Sequence, residues 1–394
     1  MTNRRQFLAG AISGAAASAA AGFVGVASTE NKAGEIEASG ILSQLGNTQN
    51  GVELHPQKFS NFIALDVRHE TTKDLMQAWM TVITDDINRL TKGQALLADS
   101  QPELSIQQSN LTITVGFGPL LFEKLNILDR APQGFKKLPS FTIDQLEDRF
   151  SDGDVLFHVA SNSKLHLEHV TRALVRDSNY FATVKWIQSG FASIDSNSPL
   201  KSQRNLMGQI DGTDNPQFGT PFFKEVVWAD SGPSWYINGT MLVLRRIQMN
   251  LDTWDQMEAP QKEEVIGRKL TNGAPLSGIK ETDPLILDAK DANGLSKIPP
   301  FSHVARARSA EGDLAIFRRP FNYTDGFDAS GAVRAGLLWT AYAKDAFKQY
   351  VPIQERLAKF DLLNKWTTPV GSAIFAFPGG RLTESTMVSK DLFQ

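Results

Sequence analysis

The sequence predicts an α+β chain in which one order of elements, β-α-β-β-α-β, occurs twice. Three observations lead there. Short strand-like apolar runs alternate with helically spaced ones, the same six-element order returns in the second half, and turn-forming residues stand between the halves. That order is the ferredoxin-like one, so the expectation is two ferredoxin-like modules, residues 57–216 and 217–394, with packed antiparallel sheets and peripheral helices.

Ser60 to Val67 reads as the first strand, and Thr72 to Leu90 as a helix with Leu75, Met76, Trp79, Ile83 and Ile87 on one face. Leu111 to Phe117 alternates as a strand does, and Asp154 to Ala160 is a short apolar strand. Leu165 to Val175 then reads as a helix and Ala182 to Ile187 as a strand. The second half opens on the β-rich run Thr240 to Ile247, followed by Asp252 to Leu270, where a carboxylate starts a helical stretch. Strands at Asp313 to Arg318 and Gly336 to Tyr342, a helix at Asp345 to Leu357 and a strand at Ser372 to Phe377 complete the repeat.

Ahead of these elements, Arg4 and Arg5 precede an uncharged stretch from Phe7 to Thr29, with a small-residue cleavage site at Gly25-Val26-Ala27. Residues 1–27 read as a twin-arginine signal, which implies export to the periplasm or beyond. Their Ala and Gly content makes them weakly hydrophobic for a retained anchor, and no membrane span is expected after cleavage. Twin-arginine export carries folded proteins, an indirect hint of a cofactor. Residues 28–56 are polar and without period, and read as a tether.

Of 394 residues, 40 are Lys or Arg and 43 are Asp or Glu, a net charge of −3 that argues against a nucleic-acid binder built on a basic face. There is no cysteine. Disulfides, thiolate nucleophiles, Cys-ligated zinc or iron–sulfur sites, thiolate-ligated haem and covalent C-x-x-C-H haem attachment are thereby excluded. Any metal must rest on His or carboxylate.

The histidines are His55, His69, His158, His166, His169 and His303. His158 alternates with apolar neighbours and reads as a core or edge residue. His166 and His169 stand at i, i+3 without a third ligand or an H-E-x-x-H pattern, and read as surface residues. His303 follows Pro299-Pro300-Phe301-Ser302 and precedes Arg306 and Arg308, a rigidly entered segment beside cations. Three further segments carry candidates. Gly208-Gln209-Ile210-Asp211-Gly212-Thr213-Asp214-Asn215-Pro216 is rich in turn formers, which leaves open a plain turn or a turn that carries chemistry. Phe317-Arg318-Arg319-Pro320 ends an apolar strand in two guanidiniums. Gly336 to Asp345 is a buried strand running into a helix cap.

Taken in order, these segments resemble the dye-decolorizing peroxidase family, over residues 57 to 394. Gly208, Asp211, Gly212, Thr213, Asn215 and Pro216 match its G-x-x-D-G and T-x-N-P segments, His303 resembles its proximal histidine, and Arg318 resembles its distal arginine. Leu111 to Pro119 and Leu337 to Asp345 add to the match. Trp339 stands where the family usually has Phe, and Arg319 beside Arg318 leaves the choice of distal arginine open. The resemblance implies one haem b per chain, His303 on the iron, and Asp345 as the carboxylate on its other ring nitrogen. Arg319 and Trp339 would lie near the cofactor. Asp211 would move a proton on peroxide, and Arg318 would stabilise the departing oxygen. The implied activity is a peroxidase that reduces hydrogen peroxide and oxidises dye-like or phenolic donors in one-electron steps. The implied assembly is a homo-oligomer. Two alternatives stand beside it: an exported haem-handling protein that releases iron from haem, working with iron-uptake components, and a non-haem protein of the same fold.

Overall fold

The computed structural model describes residues 40–193, 200, 202–308 and 314–394; the signal segment, the first part of the tether and the start of the Asp313 to Arg318 strand lie outside the described residues. The first module contributes β1 (Phe59–Val67), β2 (Thr112–Phe117), β3 (Val155–Ser161) and β4 (Ala182–Phe191). A two-residue hairpin follows, β5 (Gln203–Arg204) and β6 (Ile210–Asp211). The second module has β7 (Thr240–Met249), β8 (Phe317–Arg318), β9 (Phe321–Phe327), β10 (Val333–Ala343) and β11 (Thr367–Phe377).

Each module pairs its strands in the ferredoxin-like order, β2-β3-β1-β4 in the first and β11-β7-β10-β9 in the second. The edges of the two sheets then meet: Phe191 of β4 pairs with Asn322 of β9, and Phe117 of β2 with Ala376 of β11. Eight strands thus run round a closed antiparallel circuit, which leaves neither sheet an open edge there. Inside it, Phe62 and Leu156 of the first sheet pack against Leu244, Phe321, Leu338 and Phe375 of the second.

Helices cover the outside. Lys73–Thr91 begins where the Thr72 hydroxyl accepts from the Leu75 amide at 3.3 Å, and buries Met76, Trp79, Ile83 and Ile87. Lys164–Ser178 is capped by Ser163 in the same way. The stretch Asp252 to Leu270 is two helices rather than one. Leu251–Asp255 stops, and Ala259–Ile266 starts anew at a capping box between Glu258 and Gln261 with Pro260 in its first turn. Gly267, at φ +88°, ends it.

The polar stretch read as a tether is packed where it is described. Val52 is fully buried, and the Gln49 side chain bridges the Val115 backbone, accepting from its amide and donating to its carbonyl at 2.8 Å each. No helix among the described residues is long and apolar enough to cross a membrane.

Candidate functional site

On the outer face of the second sheet lies a cavity of about 420 Å³, floored by residues of β7 and β10 such as Ile247, Met249, Leu337 and Trp339. Three elements bring polar groups into its wall: the short helix His303–Ala307, the β5–β6 hairpin and the end of β8.

His303 opens its helix after Ser302, and the helix packs on the end of Ala259–Ile266 so closely that a Cβ on Gly267 would lie 2.3 Å from Val304 Cγ2. The His303 ring is one-third exposed, on the cavity side, and its Nδ1 lies 2.6 Å from Oδ2 of Asp361. Asp361 is buried and spends its other oxygen on the Leu363 amide at 2.9 Å, while the Leu362 amide donates to the Phe301 carbonyl at 3.0 Å. Two distant segments are thereby locked together. Burial alone pushes the imidazole pKa down; the Asp361 carboxylate outweighs it and raises the pKa above the ordinary value. With Nδ1 donating to Asp361, Nε2 has no hydrogen bond among the described residues.

Asp211 sits at the end of β6. The hairpin is tight because Gly208 and Gly212 take φ of +82° and +103°, a region that side chains disfavour. Asn205 Oδ1 accepts from the amides of Met207 and Gln209, closing the turn. Asp211 Oδ1 lies 3.2 Å from Arg318 Nη1, an ion-pair distance without hydrogen-bond alignment, and this buried oxygen has no hydrogen-bond partner among the described residues. Gln209 Nε2, in the same wall, is likewise buried and unpaired.

Arg318 is aimed by Asn215. The Asn215 amide donates to the Arg318 carbonyl at 2.7 Å and accepts from the Arg318 backbone amide at 3.0 Å and from Nε at 3.4 Å. Within the G-x-x-D-G-T-x-N-P run, Asn215 is therefore the residue that holds the guanidinium. Both Asp211 and Arg318 act electrostatically on His303, so the three share one field. Arg268 also faces the cavity, its pKa lowered by burial and then by Arg318.

Two expectations need correction. Asp345 is not the carboxylate on His303. It caps the Ala346–Phe360 helix, accepting from the amides of Phe347 and Lys348, and does not line the cavity. Arg319 does not reach the cavity either. Successive side chains of a strand face opposite ways, so Arg319 points into the closed circuit and binds the carbonyls of Gly51 and His55 and the Gln57 side chain. Trp339 does line the cavity, its ring 5.4 Å from that of Tyr350.

The other histidines have structural partners. His158 is buried, stacked on Phe62, with Nε2 2.9 Å from Ser60 Oγ. His166 and His169 are buried rather than on the surface, bonded to Ser109 and to Ser105 and Asp99. His69 is exposed beside Glu70. The residues that sequence reasoning missed are Asp361, Asn215 as the holder of Arg318, and Gln209. Only Asn215 carried a signal, its place in the T-x-N-P run.

Family models described as Dyp-type peroxidase, N-terminal and C-terminal, match residues 49–192 and 202–382. A dye-decolorizing peroxidase of Thermobifida fusca is 33% identical over 362 residues, 88% of this chain and 84% of that one. A deferrochelatase of Escherichia coli is 30% identical over 357 residues, 85% of this chain and 83% of that one. Among solved structures, a DyP-type peroxidase from Cellulomonas bogoriensis superposes with a TM-score of 0.86 at 38% identity, covering 91% of this chain and 99% of that one. Ferric DtpA from Streptomyces lividans follows at 0.85 and 32%, covering 90% and 98%.

Proposed function

This chain belongs to the Dyp-type peroxidase family, and we propose that its cavity takes haem b on His303 and uses Asp211 and Arg318 to turn over hydrogen peroxide. One observation carries the assignment of roles: a single cavity collects a histidine with one nitrogen tied to a buried carboxylate and a carboxylate–guanidinium pair with an unsatisfied buried oxygen.

The residues fit the cofactor. The cavity has the size and mixed lining of a cofactor site. Nδ1 of His303 is fixed as a donor, so the Nε2 lone pair would hold the haem iron. When bound, haem supplies the redox chemistry, two electrons to peroxide and their recovery one at a time from organic donors.

The protein's own part is proton handling, charge and orientation. Asp361 holds His303 in one tautomer and raises its basicity as a ligand. Asp211, with its free Oδ1, takes a proton from the near oxygen of peroxide and returns it to the departing one. Arg318 lies within ion-pair reach of that carboxylate and meets the negative charge that develops as the O–O bond breaks. Asn215 keeps the guanidinium in place, so little reorganisation is needed during the step. The donors are dye-like or phenolic molecules, and the twin-arginine segment would deliver the folded enzyme out of the cytoplasm.

The test is the visible spectrum of the protein with haem, before and after one equivalent of peroxide, for the unaltered chain and for His303→Ala. The unaltered chain is expected to give a Soret band that shifts with peroxide. His303→Ala is expected to lose most of the haem, since the chain has no cysteine that could hold the iron in its place. Full haem occupancy with an unchanged spectrum in His303→Ala would place the ligand elsewhere. A second reading, iron release from haem, draws on the Escherichia coli relative's name, deferrochelatase. The fluorescence of metal-free porphyrin during the same incubation tests it directly.

A further inference from the structure

The long loop after Ala259–Ile266 carries a buried carboxylate that the peroxide chemistry does not use. Glu281 is only 4% exposed, although its neighbour Ile279 stands 76% exposed on the same loop. Its Oε1 accepts from Ser202 Oγ at 2.9 Å and from Thr213 Oγ1 at 3.0 Å. These residues flank the β5–β6 hairpin: Ser202 enters β5 and Thr213 leaves β6, two positions beyond Asp211. One oxygen therefore holds both ends of the hairpin.

Further contacts join this loop to the hairpin. A Cβ on Gly273 would stand 3.1 Å from Ile210 Cδ1 and 3.2 Å from Glu281 Cγ, so the loop backbone lies against the residue before Asp211. Arg268 Nη1 donates to the Gly273 carbonyl at 2.7 Å and to the Glu281 carbonyl at 3.3 Å, tying a cavity-lining cation to the same loop. Burying a carboxylate is costly unless charge and hydrogen bonds compensate it. The Glu281 charge favours the charged form of Arg268, against burial and the repulsion of Arg318.

We propose that Glu281 is a positioning residue for Asp211, clasping Ser202 and Thr213 so that the hairpin presents Asp211 Oδ1 to the cavity beside Arg318. This rests on the reading of Asp211 as the group that moves the peroxide proton. Thr213 is the arm of the clasp nearest the chemistry, and the loop of residues 267–302 becomes part of the site's scaffold rather than a surface insertion.

The experiment compares Glu281→Ala, Glu281→Gln, Thr213→Val, the double variant and Asp211→Asn. Amide hydrogen exchange across residues 203–215 of the haem-free protein is read first. Loss of a hydrogen bond to a carboxylate should speed it about tenfold or more in Glu281→Ala and Thr213→Val, with the β1–β4 sheet unchanged. In the haem-loaded protein, the second-order rate of the first peroxide-dependent step should fall about tenfold, with KM for the organic donor unmoved. The double variant should be no slower than Glu281→Ala, because Glu281→Ala already removes the contact that Thr213→Val removes. Glu281→Gln keeps an acceptor oxygen and should recover part of the rate.

Unchanged hairpin exchange and an unchanged peroxide step in Glu281→Ala, alongside a slowed Asp211→Asn, would overturn the proposal and leave the catalytic reading standing. So would exchange that rises equally throughout the chain, the mark of a purely structural residue. An Asp211→Asn variant with full peroxide reactivity would instead remove the catalytic reading itself. Where Glu281→Ala fails to fold, Thr213→Val and Glu281→Gln carry the same comparison.

Discussion

Replacing Asp361 by Asn takes one acceptor away from a place where two buried donors converge. His303 Nδ1 meets Oδ2 at 2.6 Å and the Leu363 amide meets Oδ1 at 2.9 Å, on a side chain that is 3% exposed. Asn offers a single oxygen. If that oxygen stays on the Leu363 amide, the side-chain NH2 faces Nδ1 and forces the ring proton onto Nε2, the nitrogen needed for the metal. If it turns to His303, the Leu363 amide is left facing a donor. An unmet buried donor costs about 1–3 kcal/mol. Loss of the carboxylate behind a metal-ligating histidine typically costs about 10–100-fold in metal affinity, roughly 1.4–2.8 kcal/mol. The two outcomes are similar in size and differ in where they appear, the first as weaker haem binding and the second as a lower melting temperature. The assay is therefore a haem titration of the haem-free protein run beside a thermal melt, with Asp345→Asn as control. Asn caps a helix as well as Asp does, so Asp345→Asn should alter neither quantity. In the haem-free protein the raised His303 pKa stabilises the fold below the unfolded value near 6.5, a contribution lost as pH rises through the folded value. Asp361→Asn should accordingly cost more stability at pH 5 than at pH 9. An Asp361→Asn protein with unaltered haem affinity and melting temperature, or an Asp345→Asn protein that sheds haem, would refute this account of the proximal side.

Arg318→Leu should slow the first peroxide-dependent step by about 10²–10³, the usual cost of losing a fixed charge aimed at a developing anion, as read by stopped-flow absorbance. Arg319→Leu should leave that step within a few-fold and instead free residues 51–57, whose carbonyls and Gln57 it holds, an effect read by limited proteolysis. A larger kinetic defect in Arg319→Leu would reverse the assignment. Asp86 provides a test far from the cavity. Burial, then Asp177 and Asp85, pushes its pKa up to about 7. Between about pH 4 and pH 7 the folded chain holds a proton that the unfolded chain has released, so stability falls as pH rises through that window. Asp86→Asn should remove this slope and raise stability at pH 8 by up to about 4 kcal/mol; parallel melting curves against pH for the two proteins would exclude it.

The two-module topology was legible because strand and helix periods are local properties and their order was repeated. What escaped was structure decided by other parts of the chain. The helical pattern of Asp252 to Leu270 runs on across Glu258, and only the capping box and Pro260 divide it. Strand β9 carries Asn322, Thr324 and Asp325, too polar to announce itself, yet Asn322 and Thr324 pair with Leu337 and Ala335 of β10. At the site, Asp211, His303 and Arg318 were visible through their motifs. Asp361 was not, because it stands 58 residues beyond His303 and meets it only through the docking of two loops. Asp345 and Asp361 look alike in sequence, each an Asp at a helix start, and tertiary placement alone separates them.

The two arginines show most sharply where local reading stops. Arg318 and Arg319 share the same neighbours and charge, and which of them faces the cavity depends on one pairing, Arg318 opposite Ala341. A slip of one residue would exchange their faces. Three contacts outside the strand oppose that slip. Asn215 grips the Arg318 backbone on both its amide and its carbonyl, the Arg319 amide donates to the Thr340 carbonyl at 2.9 Å, and Gln57 waits inside the circuit for the Arg319 side chain. The register that aims the Arg318 guanidinium at the cavity is therefore held by the G-x-x-D-G-T-x-N-P loop and by the packed segment before β1. Which arginine faces the cavity is thus a property of the assembled sheet, and no window of sequence around residues 317–320 could contain it.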